Sequence, residues 1–331
     1  MKLGTFAVRT PVGWFNRLGA FAGGRIIDLN FAYAWHAAGR GESAPQALAD
    51  AHVPATMLGW LRAGERARQA TADMLTESRA AKAEWWKDDS PPRGPGDENL
   101  VYLPDEVRLL APLPDPPSVR DFFAFEAHVK KGFEKRGEPM PQEWYEIPVY
   151  YRSGNRNIIG SGEDVRWPSF TQKFDYELEL AAVIGRAGSN VPASQAHGYI
   201  AGYTVMNDFS ARDIQRREMK VRLGPAKGKE WCTALGPWLV TADEVGNPYQ
   251  LEMTARVNGV EWSRGNSSSI HWKFEQMIEF LTRDDRIEPG DVIGSGTVGT
   301  GCGLELDRWV QRGDVMELEI EKIGVLRNRV V

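Results

Sequence analysis

Cysteine is nearly missing from this chain: Cys232 and Cys302 are the only two in 331 residues, and they stand at no paired spacing. A disulfide-built scaffold is thereby excluded, and five scattered histidines complete no Cys/His pattern of the kind that holds structural zinc. Positive charge is not in excess either. With 40 Lys and Arg against 45 Asp and Glu, the formal net charge is −5, which gives no electrostatic footing for general nucleic-acid binding. No apolar run approaches the ~18 residues that a membrane-spanning helix needs, and the opening MKLGTFAVRT is too polar to be the apolar core of a secretory signal. The expectation these absences leave is a cytoplasmic protein with neither nucleic acid nor membrane as partner. A hydrophobic fraction of 42% and a charged fraction of 26% belong to a folded globular chain, long enough for one large domain or two ordinary ones.

The pattern changes about a third of the way along. LGTFAVRT, GWFNRLGAFAGG and RIIDLNFAYAW read as short strands joined by glycine turns, a small antiparallel sheet. Residues 44–86 carry Ala, Leu, Arg and Glu at helical spacing, which predicts a helical pair or a helix broken near Pro54. Two proline-punctuated stretches follow, SPPRGPGDEN and LLAPLPDPPSVRD, and strands dominate after them. The expected fold class is mixed and β-rich: a small N-terminal α+β domain over 1–105, then a β-roll or sandwich over 106–331 with helices near 122–136, 210–220 and 272–282.

Two glycine-rich strings carry no phosphate chemistry. Gly294-Ser-Gly296-Thr-Val-Gly299 matches GxGxxG, but strands follow it and too little chain remains for a dinucleotide-binding unit. Gly224-Pro-Ala-Lys-Gly228-Lys229-Glu is one residue short of a phosphate loop and has Glu where Ser or Thr holds magnesium.

The informative segment is Asp175-Tyr-Glu177-Leu-Glu179-Leu-Ala-Ala-Val-Ile-Gly185. Alternate residues of a strand share a face, so Glu177 and Glu179 point the same way, with Asp175 further along. The strand runs on into a segment apolar on both faces, and buried carboxylates need a cation or donors to meet them. Paired hard oxygens suit Mg2+, Mn2+ or Ca2+. Asp208 ends another strand, and beyond it Arg212 and Gln215 lie three apart on one helical face. Ser210 and Asp213 resemble a capping pair at that helix's start. Asp121 and His128, seven apart on an expected helix, fall on nearly the same side, an acid and a base beside one another.

Together these strings resemble the fumarylacetoacetate hydrolase family: an acid seven residues before a His, DYELELAAVIG, MNDFSARDIQ, LGPAKGKEWCT and a late SGT, spread over about 120–300. The resemblance implies metal ligands at Asp121, Glu177, Glu179 and Asp208, with Mg2+ as the expected ion and Ca2+ or Mn2+ as alternatives. It implies a catalytic His at His128, an active-site Lys at Lys229, and substrate-holding residues at Arg212, Gln215, Tyr151, Thr233 and Thr297. It also implies a small keto-acid substrate and a homodimer. One departure stands out. The family's hydrolases orient the His with a Glu in the loop after SGT, and here that loop reads VGTGCGLEL, without an acid before Glu305. Its decarboxylases and tautomerases use a Glu three residues after the His, and here that position is Lys131. Glu126, Glu134, Glu143 and Glu146 stand as substitutes.

The reaction implied is hydrolysis of a carbon–carbon bond in a 2,4-diketo acid of the acylpyruvate, fumarylacetoacetate or fumarylpyruvate type. His128 would be the general base, with an enolate leaving group. The alternative is decarboxylation, tautomerisation or dehydration of a related keto diacid at the same site, and a third possibility is a cation with only a structural role. The charged end of the first catalytic-domain helix, KKGFEKRGEPMP, is expected to act as a lid.

Overall fold

The computed structural model describes residues 1–81 and 91–331 and divides the chain into two units, Met1–Leu113 and Pro114–Val331. In the first unit Lys2–Thr10 and Gly13–Ala22 form an antiparallel hairpin, Arg25–Asp28 adds to its second strand, and Val101–Tyr102 pairs with Arg25–Asp28. Arg108–Leu109 pairs with Phe6–Ala7, and the Thr5 hydroxyl donates to the Pro112 carbonyl at 2.8 Å. Those ties carry the unit past the boundary expected at 105/106.

RIIDLNFAYAW is not one strand. It turns at Asp28, whose carboxylate accepts from the Phe31 N–H at 3.1 Å and caps the helix Leu29–Gly39, while the Arg17 guanidinium meets it at 2.6 Å. The helical stretch likewise resolves into three helices, Pro45–His52, Met57–Ala63 and Glu65–Ala81. Thr56 caps the second after Pro54, and Gly64, at φ +66°, ends it. The last part of that stretch, 82–86, and the first residue of the linker lie outside the described residues.

The second unit is built on two sheets. In one, the strands run in the order Thr233–Thr241, Ile200–Asp208, Leu178–Ile184, Val292–Gly294, Val119–Phe122 and Tyr150–Ser153. All neighbours in it are antiparallel except Val292–Gly294 with Val119–Phe122. The other sheet runs Val260–Asn266, Glu252–Val257, Val315–Ile320, Gly324–Val330 and Asp164–Val165. Leu178, Leu180, Val205 and Leu235 of the first and Met253, Leu318 and Leu326 of the second are buried, as a roll or sandwich of mixed, β-rich class requires. Helices Glu126–Arg136, Arg212–Lys220 and Phe274–Thr282 occupy the places expected of them. The first starts later than expected, because Val119–Phe122 is strand, so Asp121 and His128 do not share a helix. No helix among the described residues is long and apolar enough to cross a membrane.

A buried ion pair fixes the strand that carries Asp121. Arg120 donates to Asp291 at 2.9 Å, and Asp291 also accepts from the Ser118 hydroxyl at 2.8 Å and the Glu288 N–H at 3.0 Å. This clasp joins the start of Val119–Phe122 to its parallel neighbour. Asp291→Ala leaves the Arg120 guanidinium buried without its carboxylate and is expected to cost about 3–5 kcal/mol of stability. It should appear as a lower urea midpoint at unchanged slope; a loss below ~1 kcal/mol would mean that the pair behaves as a solvated surface pair.

Candidate metal centre and active site

The strand Leu178–Ile184 is buried on both faces, and register decides what surrounds the carboxylates at its entrance. Leu178 faces Asn207, which sets Glu177 beside Asp208, and Asp208 in turn faces Thr233 on the next strand. On the other side Ala181 pairs with Gly294, and Gly294 pairs with Asp121. Four carboxylates from three chain segments therefore converge, with Glu177 and Glu179 two residues apart on one of them. Ligand oxygens of Asp121, Glu177, Glu179 and Asp208 all lie within 4.8 Å of one another, and all four residues are buried.

The donors around them are unequally shared. Glu177 receives Lys229 and, at 2.7 Å, Arg212. Lys229 also reaches Asp208, as does the Tyr151 hydroxyl. Among the described residues, the hydrogen-bond donors to Asp121 and Glu179 are only the Gly296 N–H, 3.2 Å from each, and the Thr297 hydroxyl, 3.3 Å from Glu179. Neither carboxylate has a basic side chain in an ion pair with it among the described residues.

Burial raises the pKa of Asp121, Glu179 and Asp208, and repulsion from a neighbouring carboxylate adds to it, from Asp121 on Glu179 and Asp208 and from Glu177 on Asp121. Burial acts on Glu177 too, but Arg212 and Lys229 outweigh it and hold that carboxyl below the usual range. For Lys229 the same burial opposes the charge, yet Asp208 and Glu177 overcome it and raise its pKa, so its ammonium persists. The Tyr151 phenol is pushed well up, first by burial and then by Asp208, which keeps it a donor.

The remaining acceptor capacity is what a divalent cation fits. Asp208 Oδ1 is buried without a hydrogen-bond partner, and three of the four carboxyls are disfavoured as anions where they stand. Gly294 leaves a cradle beside them, since a Cβ there would collide with Asp121 Oδ1 and lie 3.0 Å from Glu179 Oε2. An all-oxygen donor set suits a hard ion such as Mg2+, Mn2+ or Ca2+.

His128, on the helix Glu126–Arg136, stands at one side of this cluster. Its Nε2 is 3.9 Å from Glu177, and its Nδ1 is 3.3 Å from Glu305 Oε2, at an angle that leaves Nδ1 without a formed hydrogen bond. Phe123 packs edge-on against the ring at 5.3 Å between centroids. The acid beside the histidine is thus Glu305, and none of the four substitutes takes that place. Glu126 is bound to Lys130 and Tyr145, Glu134 to Lys131, and Glu143 and Glu146 are exposed. Glu305 reaches in because Cys302 bridges to Glu177 and the Leu178 N–H donates to the Gly301 carbonyl at 3.0 Å, laying the turn Gly303–Leu306 alongside. The sequence signal was only that Glu305 is the first acid after the SGT string.

The other expected residues are near one another, with differences. Arg212 is buried and donates to Gln215 at 3.1 Å, so these two do share a face. Thr233 is buried beside the Ser153 hydroxyl, at 3.4 Å, and the Thr297 hydroxyl is directed to Glu179. Ser210 and Asp213 do not form a capping pair: the Ser210 hydroxyl donates to the Asp208 carbonyl, and Asp213 accepts from Thr171 and the Gln172 N–H. Lys135, near the end of the helix proposed as a lid, pairs with Asp307 at 2.6 Å, next to the turn that carries Glu305.

Two outcomes follow for ion binding. Because the raised carboxyls hold protons that the ion must displace, Mn2+ affinity should rise with pH, and calorimetry in buffers of different ionisation enthalpy should show proton release. Gly294→Ala fills the cradle and should weaken Mn2+ binding about 10–100-fold, alongside a modest fall in the cation-free melting temperature from the collision with Asp121 and Met206.

Residues 118–331 match the family model for the fumarylacetoacetate (FAA) hydrolase C-terminal region. Human oxaloacetate tautomerase FAHD2A, mitochondrial, is 32% identical over 342 residues, covering 100% of this chain and 92% of the human protein. Oxaloacetate tautomerase YisK of Bacillus subtilis (strain 168) is 31% identical over 272 residues, 79% of this chain and 84% of that one. Among solved structures, fumarylpyruvate hydrolase from Pseudomonas aeruginosa in complex with Mn2+ and pyruvate is similar at a TM-score of 0.57 and 27% identity, over 67% of this chain and 91% of that chain. With the carboxylate cluster built from the strings that carry the likeness, the chain belongs to the fumarylacetoacetate hydrolase family.

Proposed function

We propose that this protein is a cation-dependent enolising enzyme and that its reaction is keto–enol tautomerisation of a small keto diacid of the oxaloacetate type. The observation that carries the proposal is the placement of His128 between Glu305 and the carboxylate cluster, with the Lys229 ammonium in contact with the same cluster. Relatives matching across most of the chain and named oxaloacetate tautomerases support this choice over hydrolysis.

Asp121, Glu177, Glu179 and Asp208 would hold the divalent ion, Mg2+ in the first instance, with Mn2+ or Ca2+ as substitutes. Bound there, the ion would supply Lewis-acid stabilisation of the negative charge that enolisation places on the carbonyl oxygen. His128 would accept the proton from the carbon next to the carbonyl, a contribution of about 10²–10⁴ in rate. Glu305, at Nδ1, would hold the ring and stabilise the imidazolium that forms. Lys229, kept protonated by Asp208 and Glu177, would donate toward the developing oxyanion and not act as a base. Arg212 and Gln215 would bind a substrate carboxylate, where the guanidinium fork is suited to two oxygens. Tyr151, Thr233 and Thr297 would border the substrate.

One observation favours a second reading. Glu305 lies after the SGT string, where the family's hydrolases place their orienting acid, and with that dyad His128 could equally take a proton from water for attack on the distal carbonyl of an acylpyruvate. An ultraviolet assay with Mg2+ or Mn2+ separates the two. Accelerated loss of oxaloacetate enol with no carbon lost, abolished by chelation and reduced about 10²–10⁴-fold in His128→Ala, is the expected result. Release of pyruvate and a carboxylic acid from an acylpyruvate panel would overturn it in favour of hydrolysis, and carbon dioxide from oxaloacetate would replace it with decarboxylation.

A further inference from the structure

Asp175 is neither in the carboxylate cluster nor in contact with His128, yet its side chain is 0% exposed and both its oxygens are fully engaged. Oδ1 accepts from the backbone N–H groups of Tyr176 at 3.0 Å and Gly303 at 2.8 Å. Oδ2 accepts from the Leu304 N–H at 3.0 Å and from Arg212 Nε at 2.8 Å, and a second guanidinium nitrogen lies 2.7 Å away. One carboxylate therefore grips two separate parts of the site: the guanidinium on the helix Arg212–Lys220, and the first two residues of the turn Gly303–Leu306 that presents Glu305.

The close approach of that turn is built into the sequence. A Cβ on Gly303 would stand 2.6 Å from Asp175 Oδ1 and would collide with the Arg308 carbonyl, so only glycine lets the backbone N–H reach the carboxylate. A lone helix cap would need one acceptor oxygen. Here the remaining lone pairs go to Arg212, whose other contacts are Glu177 and Gln215. Among the described side chains, only Asp175 hydrogen-bonds both to Arg212 and to the backbone of 303–304.

We propose that Asp175 is a positioning residue that sets Arg212 and Glu305 in register with each other, so that the group binding the substrate carboxylate and the acid orienting the base are fixed by one side chain. This rests on reading His128 and Glu305 as the proton-transfer pair.

The test compares Asp175→Asn, Glu305→Gln, the double variant and Gly303→Ala, in the full chain with Mn2+ bound, by kcat, KM and Mn2+ affinity. Asparagine keeps the shape but turns an amide toward groups that only donate. Asp175→Asn is expected to lower kcat by about tenfold or more, to raise KM through Arg212, and to leave Mn2+ affinity close to that of the unaltered protein. In the Glu305→Gln background it should lower kcat no further while still raising KM, because groups that act as a unit are not additive. Gly303→Ala should reproduce the kcat loss, and it carries the same comparison if Asp175→Asn fails to fold. Losses in kcat that multiply in the double variant, or Mn2+ binding lost in step with activity, would overturn the proposal. Full activity in Glu305→Gln alone would overturn the dyad reading, and the role given to Asp175 with it.

Discussion

Four carboxylates with oxygens within 4.8 Å of one another, buried from water, repel each other strongly, and the second unit is organised around meeting that repulsion. The acids arrive from three segments of the chain, so no single helix or loop could hold them. The sheet does so by register: Glu177 beside Asp208, and Gly294 between the strands of Glu179 and Asp121. Rigid strands suit the task, because a site built on them is held more tightly than one built on loops. The clasp of Arg120 on Asp291 extends the same logic one residue outward.

Neutralisation is split into two halves. Lys229 and Arg212 are committed to Glu177 and Asp208, so their charge belongs to the protein whatever is bound. Among the described residues Asp121 and Glu179 keep only N–H and O–H donors, and together with the unpartnered Asp208 Oδ1 theirs is the capacity left for a divalent ion. The same division underlies the donor role proposed for Lys229. An ammonium held between carboxylates keeps its proton, and for that reason the proposal gives the part of base to the histidine on the other side of Glu177.

Much of this was legible in the sequence where local periodicity governed it. The alternation of a strand puts Glu177 and Glu179 on one face, and the strand that ends at Asp208 is where the sequence places it. Local reasoning misled where a break came from tertiary contacts. Asp121 to His128 has helical spacing, but Asp121 is drawn into the sheet by pairing with Gly294, so helix begins only at Glu126. RIIDLNFAYAW reads as extended until Asp28 caps a helix within it. Glu305 was out of reach for a different reason. Its approach to His128 depends on Gly301 and Cys302 pairing with a strand more than a hundred residues away, and on Asp175 holding Gly303 and Leu304. No spacing within VGTGCGLEL encodes that.

Where a divalent ion and an enolate sit in this cluster decides the proposed chemistry. A crystal structure with Mn2+ and oxalate, a planar dianion that imitates an enolised keto acid, with anomalous data at the manganese edge, measures it. One strong peak is expected, bounded by Asp121, Glu177, Glu179 and Asp208, with oxalate between the ion and His128. A peak elsewhere, or oxalate bound away from His128 and Lys229, would contradict it.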